Sequence, residues 1–363
     1  MRVIFVAQDP GGCDSLLPII KEVSGRSGDE SLCLMGGKSR DLLKKENIPY
    51  VDVEVHSRDE VLNIADKFNA DVIVAGTSFG LSVDKLLIDF AKSTKSIKTV
   101  SIVDYWSNYW HRFKDRDSGK EYMPDFILVI DDFMKDEMVR EGFDESRIRV
   151  TGNPHFDKFS ENPVRTRRPE ENTVLFISQP FTELSNQQLD LGYDEMQVLA
   201  DLVSVLIGIN NADGEKLALT IRPHPKEDPA KFHNLVQKFG NDIRIEIDAH
   251  SELPTALSRC RLVIGMSSIV LFEAALMRKA TISYQPNVRN DFSILNRLDI
   301  SKTVKTKTEL HERIRSSLMS ISGNSGGSQG MMDERLIDSY IKNNSTAKAV
   351  KFITELAKYK RLT

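Results

Sequence analysis

Cysteine is scarce in this 363-residue chain: Cys13, Cys33 and Cys260 are the only three, an odd number without metal-type spacing. That usage excludes a disulfide framework and a Cys-based zinc site, and it fits a reducing, cytoplasmic setting. The seven histidines are scattered, so no metal is expected. Charge of one sign is also missing. The net charge of −4 carries no basic footprint, and no nucleic-acid partner is expected. No apolar run approaches the ~18 residues of a membrane span. The opening Met1–Ala7 stretch is too short for a signal peptide and meets a turn at once. The expected setting is therefore cytoplasmic, with peripheral contact at the inner face of a membrane as a further expectation. The first turn, Asp9-Pro10-Gly11-Gly12, lacks the Gly-x-Gly-x-x-Gly spacing of dinucleotide dehydrogenases.

What is present is alternation. Short apolar runs (Val3–Ala7, Ser31–Met35, Asp71–Ala75, Lys98–Val103, Phe126–Ile130, Ile148–Val150) are separated by segments with helical spacing. A charged, Pro-containing stretch from Glu161 to Asn172 reads as a linker. The alternation then restarts with Thr173–Ile177, Lys216–Ile221, Ile243–Ile247, Leu262–Ile264 and Ala280–Tyr284. Strands alternating with helices of about ten residues predict parallel sheets with right-handed crossovers. Residues 322–330 are rich in Gly and Ser and read as a mobile spacer. A helical tail follows, interrupted near Asn343-Asn344.

Open parallel sheets bind ligands beyond the carboxyl ends of their strands, so the residues at those ends are the candidates. Two stretches stand out. Arg222-Pro223-His224-Pro225 follows one strand, with Lys226 extending the cation set, and the prolines fix the backbone around the imidazole. Gly265-Met266-Ser267-Ser268 follows another and runs straight into a helix. A small, hydroxyl-rich turn at a helix N-terminus is a natural anion site, and phosphate is its usual occupant. Ser267 and Ser268 equally stand where plain N-caps stand. Glu273 lies inside an otherwise apolar helix, where a carboxylate needs either a neighbouring helix or a ligand such as a ribose diol.

These stretches, and a later strand ending in Gln285-Pro286, resemble the donor-binding domain of two-domain GT-B glycosyltransferases. Bacterial sialyltransferases and capsule-polysaccharide transferases share such His-Pro and Ser-Ser motifs, and non-hydrolysing UDP-N-acetylglucosamine 2-epimerases share the fold. The resemblance implies two Rossmann-like α/β domains with parallel sheets facing a central cleft. The acceptor domain is expected over 1–160 and the donor domain over 173–332. A helical tail over 333–363 is expected to pack back towards the first domain. It further implies a metal-independent glycosyltransferase of surface-polysaccharide biosynthesis with no cofactor. Its donor would be a UDP- or CMP-linked sugar, and its acceptor a glycan or lipid-linked glycan. Gly11, Gly12, Arg222, His224, Lys226, Gly265, Ser267, Ser268, Glu273 and Gln285 would bind the nucleotide sugar. A nucleotide-sugar 2-epimerase or hydrolase, or a non-catalytic nucleotide-sugar-binding partner, is the alternative.

The sialyltransferases' acidic-acidic-Gly motif is absent, and so is a full set of epimerase acids. The base must be argued from position. Asp9 and Asp14 flank the first Gly-rich turn and are the candidates beside His224, with Asp104 a third; Asp14 would equally serve as N-cap of a helix starting at Ser15, and Asp9 as a turn residue. Both tryptophans fall in Tyr105–Lys114. That run reads either as a loop packed under the sheet or as an acceptor platform made of Trp106, Tyr109, Trp110 and Arg112. Gly76–Gly80, opening another helix, reads as substrate-binding or as close backbone packing.

Overall fold

The computed structural model describes residues 1–94, 97–115, 117–161, 172–184, 191–214, 216–321 and 334–360. Arg116, the interior of the expected linker and the Gly/Ser-rich segment 322–330 lie outside them. The chain divides into two compact units, Met1–Glu161 with Tyr340–Thr363, and Asn162–Ser339.

The first unit holds β1 (Arg2–Ala7), β2 (Glu30–Met35), β3 (Val51–Asp52), β4 (Val72–Ala75), β5 (Lys98–Ile102), β6 (Phe126–Val129) and β7 (Ile148–Val150). All pair in parallel, in the order β3-β2-β1-β4-β5-β6-β7. Val3–Ala7 and Val72–Ala75 are wholly buried, as strands covered by helices on both faces must be. The strand order reverses between β1 and β4, which makes their C-terminal ends the switch point. Close approach there demands glycine. A Cβ on Gly12 would lie 3.0 Å from the Gly76 Cα, and one on Gly11 would lie 2.0 Å from Asp104 Oδ2. The helix that follows begins at Pro10, not at Ser15, so Asp14 stands inside its second turn and is not its N-cap.

The C-terminal helix Ser345–Lys360 completes this unit. Ala349, Val350 and Ile353 are fully buried in the same core as Phe5, Leu16 and Val100. The Asp157 carboxylate accepts from the Ser345 and Thr346 N–H groups (3.0 and 2.7 Å), capping the helix from outside. The helical tail is interrupted between Ile341 and Ser345, around the two asparagines.

The second unit holds β8 (Thr173–Ile177), β9 (Ala218–Arg222), β10 (Ile245–Ile247), β11 (Leu262–Gly265) and β12 (Ala280–Ser283). They form a parallel sheet in the order β10-β9-β8-β11-β12, with the reversal between β8 and β11. Its longest helix, Glu195–Asp213, is capped by Asp194, whose side chain accepts from Gln197 N–H, and ends at left-handed Gly214. Val198, Leu199, Leu202 and Leu206 press its buried face onto the sheet. No helix among the described residues is long and apolar enough to cross a membrane.

Because the last helix supplies core, Ile353→Ala is expected to destabilise the first unit by about 2–4 kcal/mol. Denaturant unfolding followed by circular dichroism measures it.

Candidate functional site

The tips of β8, β9 and β11 bring the two singled-out stretches together. The Ser267 N–H donates to Gln179 Oε1 at 2.9 Å, joining the turns that flank the switch point. Ser268 is the N-cap of the Ile269–Leu276 helix, its Oγ accepting from Val270 N–H at 3.2 Å. Capping does not exclude a ligand, because the hydroxyl proton is not used in that bond. Gly265 is the tightly packed residue beneath: a Cβ there would lie 3.1 Å from the Ile177 carbonyl. Glu273 is buried in the same helix.

The His-Pro loop is held from below by a residue the sequence reading missed. The buried Glu227 carboxylate accepts from His224 N–H (2.5 Å) and from Ser178 Oγ (2.9 Å), and pairs with Lys231 Nζ (2.5 Å). Lys231 also donates to Glu195 (2.7 Å), which has no exposed side-chain surface. The Lys226 N–H donates to His224 Nδ1 at 3.1 Å. An accepting Nδ1 puts the proton of a neutral imidazole on Nε2, so the ring offers a donor there. Lys226 itself is exposed. A carboxylate three residues after the histidine was the available signal for Glu227, and only its burial gives it meaning.

Two members of the expected set are used otherwise. Arg222 donates to the Ser251 carbonyl (2.8 Å) and lies 4.0 Å from Asp248, tying β9 to the loop after β10. Gln285 is fully buried: its amide nitrogen donates to Ser283 and Asp291, both at 3.0 Å, and its oxygen accepts from Tyr193 at 2.8 Å. This corrects its expected nucleotide contact, since its side chain is consumed within the protein. It supports the turn instead, because Ser283 Oγ donates to the Met266 carbonyl.

The aromatic run of the first unit is mostly core, which corrects the platform reading. Trp106 is fully buried and donates to Asp131 (2.8 Å); Tyr109 is buried and donates to Glu137 (2.7 Å). Trp110 is half-buried, donates to the Glu141 carbonyl and packs 4.2 Å from Phe143. Arg112 is buried against Asp104 (2.5 Å) and Thr77 (2.8 Å), so its charge is already met. Gly12 is buried in backbone packing. Asp9 and Asp14 both keep partly exposed side chains; Asp9 Oδ2 accepts from Phe79 N–H at 3.3 Å, and Asp14 lies 3.9 Å from His155 Nδ1. The three thiols are buried, and burial pushes Cys13 and Cys33 up to about 12 and Cys260 up to about 11, which disfavours the thiolate.

The family model of the alpha-2,8-polysialyltransferases (POLYST) matches residues 103–284, half of the chain and both motif stretches. The chain belongs to the alpha-2,8-polysialyltransferase family. No curated protein sequence matches it. Its fold is similar to that of the UDP-GlcNAc 2-epimerase of Methanocaldococcus jannaschii, with TM-score 0.68 and 16% identity over 98% of this chain and all of the other. The Neisseria meningitidis epimerase bound to UDP-GlcNAc gives 0.67 and 10% over the same shares. Anabaena HepE in complex with UDP gives 0.62 and 12%, again over 98% and 100%. At such identities the likeness is one of fold, and the fold is the GT-B architecture expected from the motifs.

Glu227→Ala removes the carboxylate shared by the His224 N–H, the Ser178 hydroxyl and Lys231, leaving the first two without an acceptor and Lys231 with Glu195 alone. The second unit should lose about 3 kcal/mol, read as a melting point lowered by roughly 6–12 °C.

Proposed function

We propose that this polysialyltransferase-family protein transfers a sugar, a sialic acid on the family's name, from a nucleotide donor to a glycan or lipid-linked glycan acceptor of a bacterial-type surface polysaccharide. One observation carries the reading. The neighbouring tips of β9, β8 and β11 carry, at the β8/β11 reversal, the Ser267-Ser268 turn with its helix N-terminus and, at the end of β9, a histidine whose donor tautomer is fixed. All three favour negative charge. Neighbours of the same fold were solved with UDP-GlcNAc and with UDP, which supports a nucleotide-sugar ligand; the family's name favours the CMP-linked of the two expected donors.

In this reading the second unit binds the leaving group. The bond between the anomeric carbon and the phosphate oxygen breaks, and its electron pair departs with the phosphate. His224 Nε2–H and the serine turn stabilise the charge that develops there, with Gly265 allowing the tight strand end and Lys226 adding long-range attraction. Glu273 takes the ribose hydroxyls. The acceptor oxygen forms the new bond and gives its proton to a carboxylate. Asp9 and Asp14 of the first unit are the proposed bases, since Asp104 already has Arg112 as counter-ion. The developing charge is met by protein groups, so the scheme is metal-independent.

Among CMP, UDP, GDP and CDP, CMP should raise the melting point most; saturation at 100 times Kd stabilises by about 2.7 kcal/mol. His224→Ala should lower kcat by about 10²–10³ in a transfer assay, the effect of losing one donor to a developing oxyanion. Unchanged turnover in His224→Ala and Ser267→Ala would refute the assignment. Donor conversion without any acceptor would favour an epimerase or hydrolase, and donor binding with no turnover a non-catalytic partner.

A further inference from the structure

The segment after β7, Thr151-Gly152-Asn153-Pro154-His155, is held from several sides. Gly152 has φ +88°, and a Cβ there would collide with the side chains of Asn343 and Ser345. Asn153, 3% exposed, accepts from His155 N–H at 3.1 Å. Pro154 opens a short 3-10 helix, Pro154–Asp157, with its φ fixed by the ring. Phe156 is 1% exposed and stacks on Trp106, ring centres 6.3 Å apart. Asp157 is bound to the Ser345 and Thr346 N–H groups. The backbone is thus fixed on both sides of His155, whose side chain keeps 15% of its surface in solvent.

The contacts of the ring define its proton. Lys158 Nζ lies 2.8 Å from His155 Nε2. An ammonium can only donate, so Nε2 accepts, and a neutral imidazole then carries its proton on Nδ1. Nδ1 is the atom that faces Asp14 Oδ1, at 3.9 Å. Asp14 stands in the second turn of the helix Pro10–Ser24, which starts at the β1/β4 switch point. Asp9, the other carboxylate there, accepts from Phe79 N–H and donates its own N–H to Ser78 Oγ, the bonds of a turn residue.

We propose that Asp14 is the base of the transfer and that His155 is its positioning residue. The proposal rests on the transferase reading above and decides between its two carboxylates. A carboxylate has two oxygens. The imidazole N–H holds one, closing the 3.9 Å gap when the acceptor binds, as catalytic contacts commonly do. The other oxygen takes the proton of the acceptor hydroxyl while the hydroxyl oxygen forms the glycosidic bond. Lys158 keeps the ring in the tautomer this needs, since a proton on Nε2 would leave a lone pair facing the carboxylate.

Two measurements on the full chain test it. Long-range proton–nitrogen NMR correlations of the histidine rings, with His155 assigned by its loss in His155→Asn, should show the neutral ring protonated on Nδ1. Initial rates are then taken with CMP-sialic acid as donor and a short 2,8-linked sialic acid oligomer as acceptor. Asp14→Asn should lower kcat by about 10²–10⁴, the loss of a general base. An Asn amide reaches the place of Nδ1, whereas a Gln amide reaches that of Nε2. His155→Asn should therefore retain most of kcat, while His155→Gln and His155→Phe should lower it about 10²-fold with little change in KM, the pattern of an interaction made only in the transition state. The rise in melting point on adding CMP should be that of the wild type in every variant. A ring protonated on Nε2, full kcat in Asp14→Asn or in His155→Gln, or equal losses in His155→Asn and His155→Gln would overturn the proposal. If the wild type transfers sugar while any of these holds, the positioning role is wrong and the transferase reading stands. If the wild type transfers none, the reading falls and the proposal with it.

Discussion

Glu227 is the interaction on which the second unit's tip depends. One buried carboxylate takes the backbone N–H of His224, the hydroxyl of Ser178 and the ammonium of Lys231. It thereby fixes the end of β9 against the end of β8, and Ser178 is followed at once by Gln179, which holds Ser267. Three strand tips are joined through a chain of single bonds. A buried charge is tolerable only when each of its lone pairs is answered, and here the answers come from the segments that must be aligned. The network is also electrostatically lean: Lys231 is shared between Glu227 and Glu195, so loss of Lys231 would leave two buried carboxylates without their cation.

The two units use the same topology for opposite chemistry. Both are parallel sheets with a reversal beside the first strand, and both place short turns at that reversal. In the second unit the turn presents hydroxyls, a helix N-terminus and an imidazole, all suited to an anion. In the first, Asp9 and Asp14 keep partly exposed carboxylates, while Asp104 is paired with Arg112 and Lys85 is held by the turn's own carbonyls. Burial lowers the pKa of Lys85, while the nearby Asp84, Asp115 and Asp9 favour its charged form. A transfer reaction needs this asymmetry, because one partner accumulates negative charge and the other loses a proton.

How much of this was legible in the sequence depends on the range of the interaction. The alternation of apolar runs and helical segments predicted parallel strands, because burial on both faces leaves a continuous apolar signature. Ser268 as N-cap and the Pro-fixed histidine are local features, and local spacing shows them. The failures share a different cause. Trp106 and Gln285 look like ligand contacts because they are polar-tipped residues near strand ends, yet each is consumed by partners 25 and 92 residues away, Asp131 and Tyr193. Glu227 went unnoticed for the same reason, since Ser178 is 49 residues distant. The helix at Pro10 was placed too late because the glycines that follow read as loop, whereas close packing on Gly76 is what requires them.

The central claim is that the donor's phosphate sits at the β8/β11 tip of the second unit. Amide and imidazole NMR shifts during a CMP titration of the full chain test it most directly. The account predicts that the largest perturbations fall on the Ser267, Ser268 and Ile269 amides and on the His224 ring, with Gly11–Asp14, at the start of the first unit's first helix, undisturbed. Perturbations centred on Gly11–Asp14, with Ser267 to Ile269 and His224 silent, would contradict it.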